Sequence, residues 1–160
     1  MEISNKTRIQ KSTKTDAAEI LRLQYAAYQS EAAIHNDYTI QPLTQTLDEL
    51  LLEYQKCVVL KAVKNGEIIG SVRAYSDNGT GYIGKLIVHP DHQGQGLGTN
   101  LLAEIEREIN CKRYELFTAK KSERNLYLYE KSGYKIFREE TDPFGIAFVY
   151  MEKEAYNDGA

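Results

Sequence analysis

Several large function classes need features that this chain has little of. It has two cysteines, Cys57 and Cys111, with no Cys-x-x-Cys spacing, so neither a disulfide framework nor a thiolate zinc site is expected. Cys57 opens the apolar run CVVLKAV and reads as a buried thiol. The three histidines, His35, His89 and His92, lack the spacing of metal ligands, and no metal is expected. No window approaches the roughly 18 apolar residues of a spanning helix. The opening MEISNKTRIQKSTKTD has no apolar signal core, so no membrane contact is expected and the protein is placed in the cytoplasm. Positive charge is also scarce, with a formal net charge of −3 and a pI near 5.7. A nucleic-acid binder needs a basic face to exchange for counterions, so nucleic acid is not an expected partner. One local cluster, Lys112, Arg113, Lys120, Lys121 and Arg124, fits either contact with nucleotide phosphates or a solvated face.

What remains is ordinary globular sequence. At 160 residues, 42% apolar and 27% charged, residues 1–160 read as one α/β domain able to bury a core without staples. Periodicity predicts a strand at 8–12 and a helix from Asp16, capped by Thr15 or Asp16, with Ala17, Ile20, Leu21 and Leu23 inward. An irregular stretch over 30–45 and a helix over 45–55 follow. Strands at 57–63, 68–75 and 81–88 are joined by two Asn-Gly turns, which is the pattern of an antiparallel meander. A helix then precedes a strand at 114–118, which must return parallel to its predecessor. A short helix and two strands, 134–138 and 145–151, close a mixed, mostly antiparallel sheet.

The junction Val88-His-Pro-Asp-His-Gln-Gly-Gln-Gly-Leu-Gly-Thr99 joins a strand to an amphipathic helix carrying Leu97, Leu101, Leu102, Ile105 and Ile109 on one stripe. Glycines let the backbone approach a bulky anion, and a helix start adds unpaired N–H groups with a partial positive charge. Together they form a phosphate cradle. The Gly84-Lys85 pair is followed by Leu86 rather than by Ser or Thr, which removes a P-loop. The spacing Gly94-x-Gly96-x-Gly98 does not fit the dinucleotide fingerprint GxGxxG either, and this disfavours a nucleotide-binding oxidoreductase.

The junction resembles the acyl-CoA loop of the GCN5-related N-acetyltransferases, Q/R-x-x-G-x-G/A, through Gln93, Gly96 and Gly98. Downstream, Ser122-Glu-Arg-Asn-Leu-Tyr-Leu-Tyr-Glu-Lys-Ser-Gly-Tyr134 is similar to the family's LYEKxGF segment, with Gly133 as a left-handed helix cap. The resemblance is good over residues 82–138 and implies a GNAT-like fold whose parallel strand pair splays apart to admit the pantetheine arm. It implies acetyl-CoA as cosubstrate, with the pyrophosphate on the amides of Gln93, Gly94, Gln95, Gly96, Leu97, Gly98 and Thr99. The arm would pair with the main chain of Leu86, Ile87 and Val88, and Gly84 would ease a bulge in that strand. A Cβ at Gly96 or Gly98 would crowd the cradle.

By the same resemblance, Tyr129 is the acid that protonates the departing thiolate. The family often has asparagine seven residues before that tyrosine and a small residue four before it. This chain has Ser122 and Asn125 there, and Asn125 either reaches the coenzyme or lies on the helix surface. The strands lack an obvious base, with Phe117 where some relatives carry glutamate. Deprotonating an amine of pKa near 10.4 at pH 7 costs about 4.6 kcal/mol, and a water chain anchored by Tyr82 or Glu31 could lower it. Glu31, Asp37, Asp48, Glu49 and Glu53 make the region of the first helices acidic, which favours a cationic amine or marks a solvated face. No cysteine lies in either motif, so direct transfer to a primary amine of a small molecule or peptide is expected. The alternative is a non-catalytic acyl-CoA-binding module. A homodimer is compatible with the sequence but not required by it.

Overall fold

The computed structural model describes residues 6–155. Its strands are β1 (Arg8–Lys11), β2 (Val58–Lys64), β3 (Glu67–Asp77), β4 (Thr80–Val88), β5 (Arg113–Ala119), β6 (Lys135–Thr141) and β7 (Ala147–Glu154). The helices are α1 (Ala17–Ala27), α2 (Gln29–His35), α3 (Gln41–Thr44), α4 (Leu47–Glu53), α5 (Leu97–Ile109) and α6 (Glu123–Lys131). All seven strands join one sheet in the order β1-β2-β3-β4-β5-β7-β6. Only β4 and β5 run parallel.

Local chemistry accounts for much of this. Asn65, Gly66, Asn78 and Gly79 hold φ of 51°, 77°, 50° and 83°, the paired left-handed residues of type I′ hairpins. Thr46 Oγ1 accepts from the Glu49 amide at 3.2 Å and Glu49 Oε1 accepts from the Thr46 amide at 2.9 Å, a capping box that starts α4. Adjacent strand residues face opposite ways, so one core cluster takes Leu60, Ile69 and Val72 with Leu101, Leu102 and Ile105 of α5. The other takes Val59 and Ile68 with Ile20, Leu23 and Leu50 from α1 and α4.

One expectation is corrected. The stretch 30–45 is not irregular but holds α2 and α3, the first ended by Asn36 at φ 49°. Helices this short do not sustain themselves. They are fixed from α1, where buried Gln24 donates through Nε2 to the Pro42 carbonyl at 2.8 Å and to Gln45 Oε1 at 2.9 Å. The first helix, α1, begins at Ala17 with Asp16 at its N-cap position, as expected, and a 3-10 turn over Lys14–Asp16 precedes it. The Thr13 amide donates to Asp16 Oδ2 there at 3.0 Å.

Two irregularities of β4 create the site. The strand pairs with β5 only at Thr80–Arg113, Gly81–Tyr114 and Tyr82–Glu115 and then diverges. Against β3 the register passes from Arg73–Gly84 to Ser71–Ile87, so Lys85 and Leu86 oppose Val72 alone. This is the expected bulge, but the left-handed residue is Lys85 at φ 50° rather than Gly84. The extra residue reverses the strand's alternation. Ile83 and Ile87 would share a face in a regular strand, yet they lie in the two different core clusters.

Candidate active site

A cavity of about 830 Å³ opens where β4 and β5 part. At one end lies the glycine loop. Gly94 and Gly96 hold φ of 79° and 81°, and Gly96 caps α5 without any side-chain cap. Among the described residues no acceptor takes the N–H groups from Gly94 to Thr99, which leaves a run of free amides at a helix start. Gln93 fixes the loop's beginning. Its Nε2 donates to the Val88 carbonyl at 3.1 Å and its Oε1 accepts from the Arg124 guanidinium.

The two expected cradle glycines play different parts. A Cβ at Gly96 would meet nothing within 4 Å, so the left-handed backbone is what demands glycine there. A Cβ at Gly98 would lie 2.8 Å from Leu128 Cδ1. Gly98 therefore lets the first turn of α5 pack against α6. The basic cluster is also divided. Lys120 pairs with Glu139 at 3.0 Å, and Arg113 pairs with Glu115 and Glu152 at 3.0 and 2.9 Å, so Arg124 is the member tied to the loop.

Leu86, Ile87, Val88, Gln93, Gly98 and Asn125 line the cavity, and so does Tyr129. Gly94, Gln95, Gly96, Leu97 and Thr99 continue from Gln93 and Gly98 in the loop and first helical turn outside it. Tyr129, 7% exposed, has no hydrogen-bond partner for its hydroxyl among the described residues. Burial, then the neighbouring Tyr28 and Glu31, raise its pKa, so the group is a protonated donor at neutral pH.

Glu31 on α2 faces it. Glu31 Oε1 accepts from Ser122 Oγ at 2.6 Å and from Asn125 Nδ2 at 3.3 Å, and that amide also donates to Thr118 Oγ1 at 3.2 Å. The other carboxylate oxygen is left without a donor among the described residues. Of the remaining acids, Asp37 and Glu53 line the cavity, whereas Asp48 and Glu49 sit outside it in the first turn of α4. Glu53 Oε2 pairs with Arg73 Nη1 at 3.0 Å and accepts from Gln45 Nε2 at 2.9 Å. Arg73, itself 3% exposed, donates through Nη2 to Gln24 Oε1 at 2.5 Å. Opposite stand the rings of Phe117, Phe148 and Tyr150, with Phe117 at 5.7 Å from the second and 5.3 Å from the third.

Among the cavity residues that escaped the sequence reading are Tyr28, Arg73 and Lys85. A basic residue inside each of the runs IIGSVRAYS and YIGKLIV was the available signal. Tyr28, at the break between α1 and α2, carried none. Burial outweighs the lowering influence of Arg73 and, with Glu31, pushes its pKa up to about 12. Among the described residues no helix is long and apolar enough to cross a membrane, and no group of three His, Cys, Asp or Glu side chains is placed to hold a metal.

Comparison with known proteins agrees with this geometry. A family model described as an acetyltransferase (GNAT) domain matches residues 24–155. An acetyltransferase of Pectobacterium atrosepticum is 31% identical over 90 residues, which are 54% of this chain and 64% of that protein. The chain thus spans less than two thirds of the length of the curated relatives it matches. The PaiA N-acetyltransferase of Thermoplasma acidophilum, solved with coenzyme A, superposes with a TM-score of 0.79 at 18% identity, covering 94% of this chain and 99% of that one. YncA of Salmonella typhimurium, solved with its cofactor acetyl-CoA, gives 0.73 at 21% identity over 97% and 99%.

Proposed function

Because the chain belongs to the GNAT family of acetyltransferases, we propose that it is an acetyl-CoA-dependent N-acetyltransferase that moves the acetyl group directly to a primary amine of a small molecule or peptide. The observation that carries this reading is the divergence of β4 from β5 after three paired residues, which opens a cavity with free amides at one end and the Tyr129 hydroxyl inside. The amides from Gln93 to Thr99 bind the pyrophosphate, with Arg124 beside them. The pantetheine arm pairs with the edge of β4 over Leu86, Ile87 and Val88, which β5 leaves open. Asn125 acts at one remove, by holding Glu31.

The acceptor enters as an ammonium and must lose a proton. The undonated oxygen of Glu31 takes it, directly or through water. The amine lone pair then forms the N–C bond to the thioester carbonyl, the C–S bond breaks with its electrons on sulfur, and Tyr129 protonates the thiolate. The new amide nitrogen gives up its surplus proton through water to the tyrosinate, and the proton held by Glu31 leaves to solvent. The aromatic wall of Phe117, Phe148 and Tyr150 suits an acceptor with an apolar body. This reading places the enzyme in the cytoplasm with its coenzyme.

The rival, an acyl-CoA-binding module, draws on the strands, where Glu115 is the only β5 carboxylate at the cavity and is paired with Arg113. Calorimetric titration with acetyl-CoA and a thiol-release assay over an amine panel separate the two. Binding with turnover is expected; binding without turnover of any amine selects the module.

A further inference from the structure

We infer that the acetylated amine also carries a carboxylate, and that Lys85 binds it on the α4 side of the cavity. The inference rests on the acetyltransferase reading and names its acceptor class. The bulge that turns Lys85 to φ 50° takes it out of the strand's alternation, and its side chain lines the cavity. The residue is half-buried, and its ammonium has no hydrogen-bond or ion-pair partner among the described residues. An ammonium held out of water without a counter-ion is unfavourable, so a position that keeps one is a position waiting for an anion.

The surrounding charges do not supply that anion. Arg73, Glu53 and Cys57 are the titratable groups whose fields reach Lys85. The Glu53 carboxylate is already engaged by Arg73 and Gln45. Two cations therefore face one acid. Burial, then the charge of Arg73, holds the Lys85 ammonium below its ordinary pKa, and a carboxylate beside it would reverse both effects.

The cavity is also polarised along its length. Glu31 is grouped with Ser122 and Asn125, whereas Lys85 feels Arg73 and Glu53 and is not reached by Glu31. Tyr28 feels both Arg73 and Glu31. An amine is drawn to the first group and repelled by the second, while a carboxylate experiences the reverse. The complementary ligand is an amino-carboxylate.

The test uses matched acceptors, apolar amino acids against their carboxamides, with the full chain, Lys85→Gln and Lys85→Arg. A charge-assisted contact to a carboxylate is worth roughly 1.5–3 kcal/mol, so the unaltered protein should prefer each carboxylate by about 10-fold to 150-fold in kcat/KM, mainly through KM. Lys85→Gln should bring the ratio close to one, and Lys85→Arg should keep part of it. Equal use of carboxylate and carboxamide overturns the assignment, and so does a preference that survives Lys85→Gln. Acetylation of Lys85 itself, read by mass spectrometry after incubation with acetyl-CoA alone, also overturns it, because the group would then be a nucleophile. Titration with acetyl-CoA on the same samples keeps the two readings apart: no coenzyme binding and no turnover refutes the acetyltransferase, whereas turnover without discrimination refutes the Lys85 site alone.

Discussion

Replacing Gly96 and Gly98 by alanine, one at a time, separates two reasons for which a helix start can require glycine. Gly96 holds φ 81° and ψ 4° with open space where a Cβ would stand. Alanine there meets no clash and suffers only the left-handed backbone, about 1–2 kcal/mol. The free loop escapes that strain by turning φ negative, which rotates the neighbouring amides out of convergence. Coenzyme binding must then restore the strained form, so the Kd for coenzyme A should rise about 5-fold to 30-fold, the equivalent of the same 1–2 kcal/mol. Because the free loop relaxes, the thermal midpoint should move little.

Gly98 has no positive φ, and alanine is the better helix former by about 1 kcal/mol. Its added Cβ would press on Leu128 Cδ1, the end of a flexible side chain, at 2.8 Å. Gain and loss are of similar size, so stability should stay within about 1 kcal/mol. Affinity should stay within roughly threefold, less than 1 kcal/mol. Isothermal calorimetry with coenzyme A and thermal unfolding read both quantities. An unchanged Kd in Gly96→Ala, or a larger loss in Gly98→Ala than in Gly96→Ala, would refute this division of labour and move the anion site into the helix.

Tyr129→Phe should lower kcat by about 10² to 10⁴ with acetyl-CoA affinity nearly unchanged, measured by thiol release and titration; a larger effect on affinity than on kcat would make the residue a packing element. Lys85→Met should raise the thermal midpoint at pH 7. The folded protein disfavours the ammonium, so its pKa lies below the unfolded value near 10.5, and the penalty fades as pH climbs from the folded towards the unfolded pKa. The gain should therefore shrink as pH climbs from 7 towards 10.5, and a gain independent of pH over that range would contradict the cause. Tyr134→Phe removes the hydroxyl that donates to Glu106 Oε2 at 2.7 Å, leaving Lys153 on Oε1 at 2.8 Å. The loss should be about 1–2 kcal/mol in urea unfolding, and an unshifted midpoint would deny the bond any net worth.

What could be read from the sequence divides along the range of the forces involved. The Asn-Gly turns and the stripe of α5 each depend on residues a few positions apart, and both were legible. The bulge was legible only as a glycine in a strand; that the strained residue is Lys85 depends on pairing with β3. α2 and α3, with 7 and 4 residues, depend on Gln24 and Tyr25 of α1, whose bonds to Pro42 and Gln45 no local pattern encodes. The same holds for Arg73, whose partner Gln24 is 49 positions away.

The missing base and the altered motif helix, which look like two separate departures in the sequence, become one feature in space. Phe117 occupies the β5 position where some relatives carry a carboxylate, and its ring joins Phe148 and Tyr150 in a wall. Ser122 and Asn125 replace the family's usual pair on α6, and both donate to the same oxygen of Glu31 across 91 and 94 positions of sequence. A flexible glutamate on a 7-residue helix would be a poor proton acceptor without such a clamp, because a base must stay within hydrogen-bond reach of the proton it takes. In the proposed reaction the proton-handling carboxylate has therefore moved from the sheet to α2, and the two substitutions on α6 hold it there. The vacated sheet position is free to carry an apolar ring, so the change that removes a base from β5 also shapes the acceptor side of the cavity.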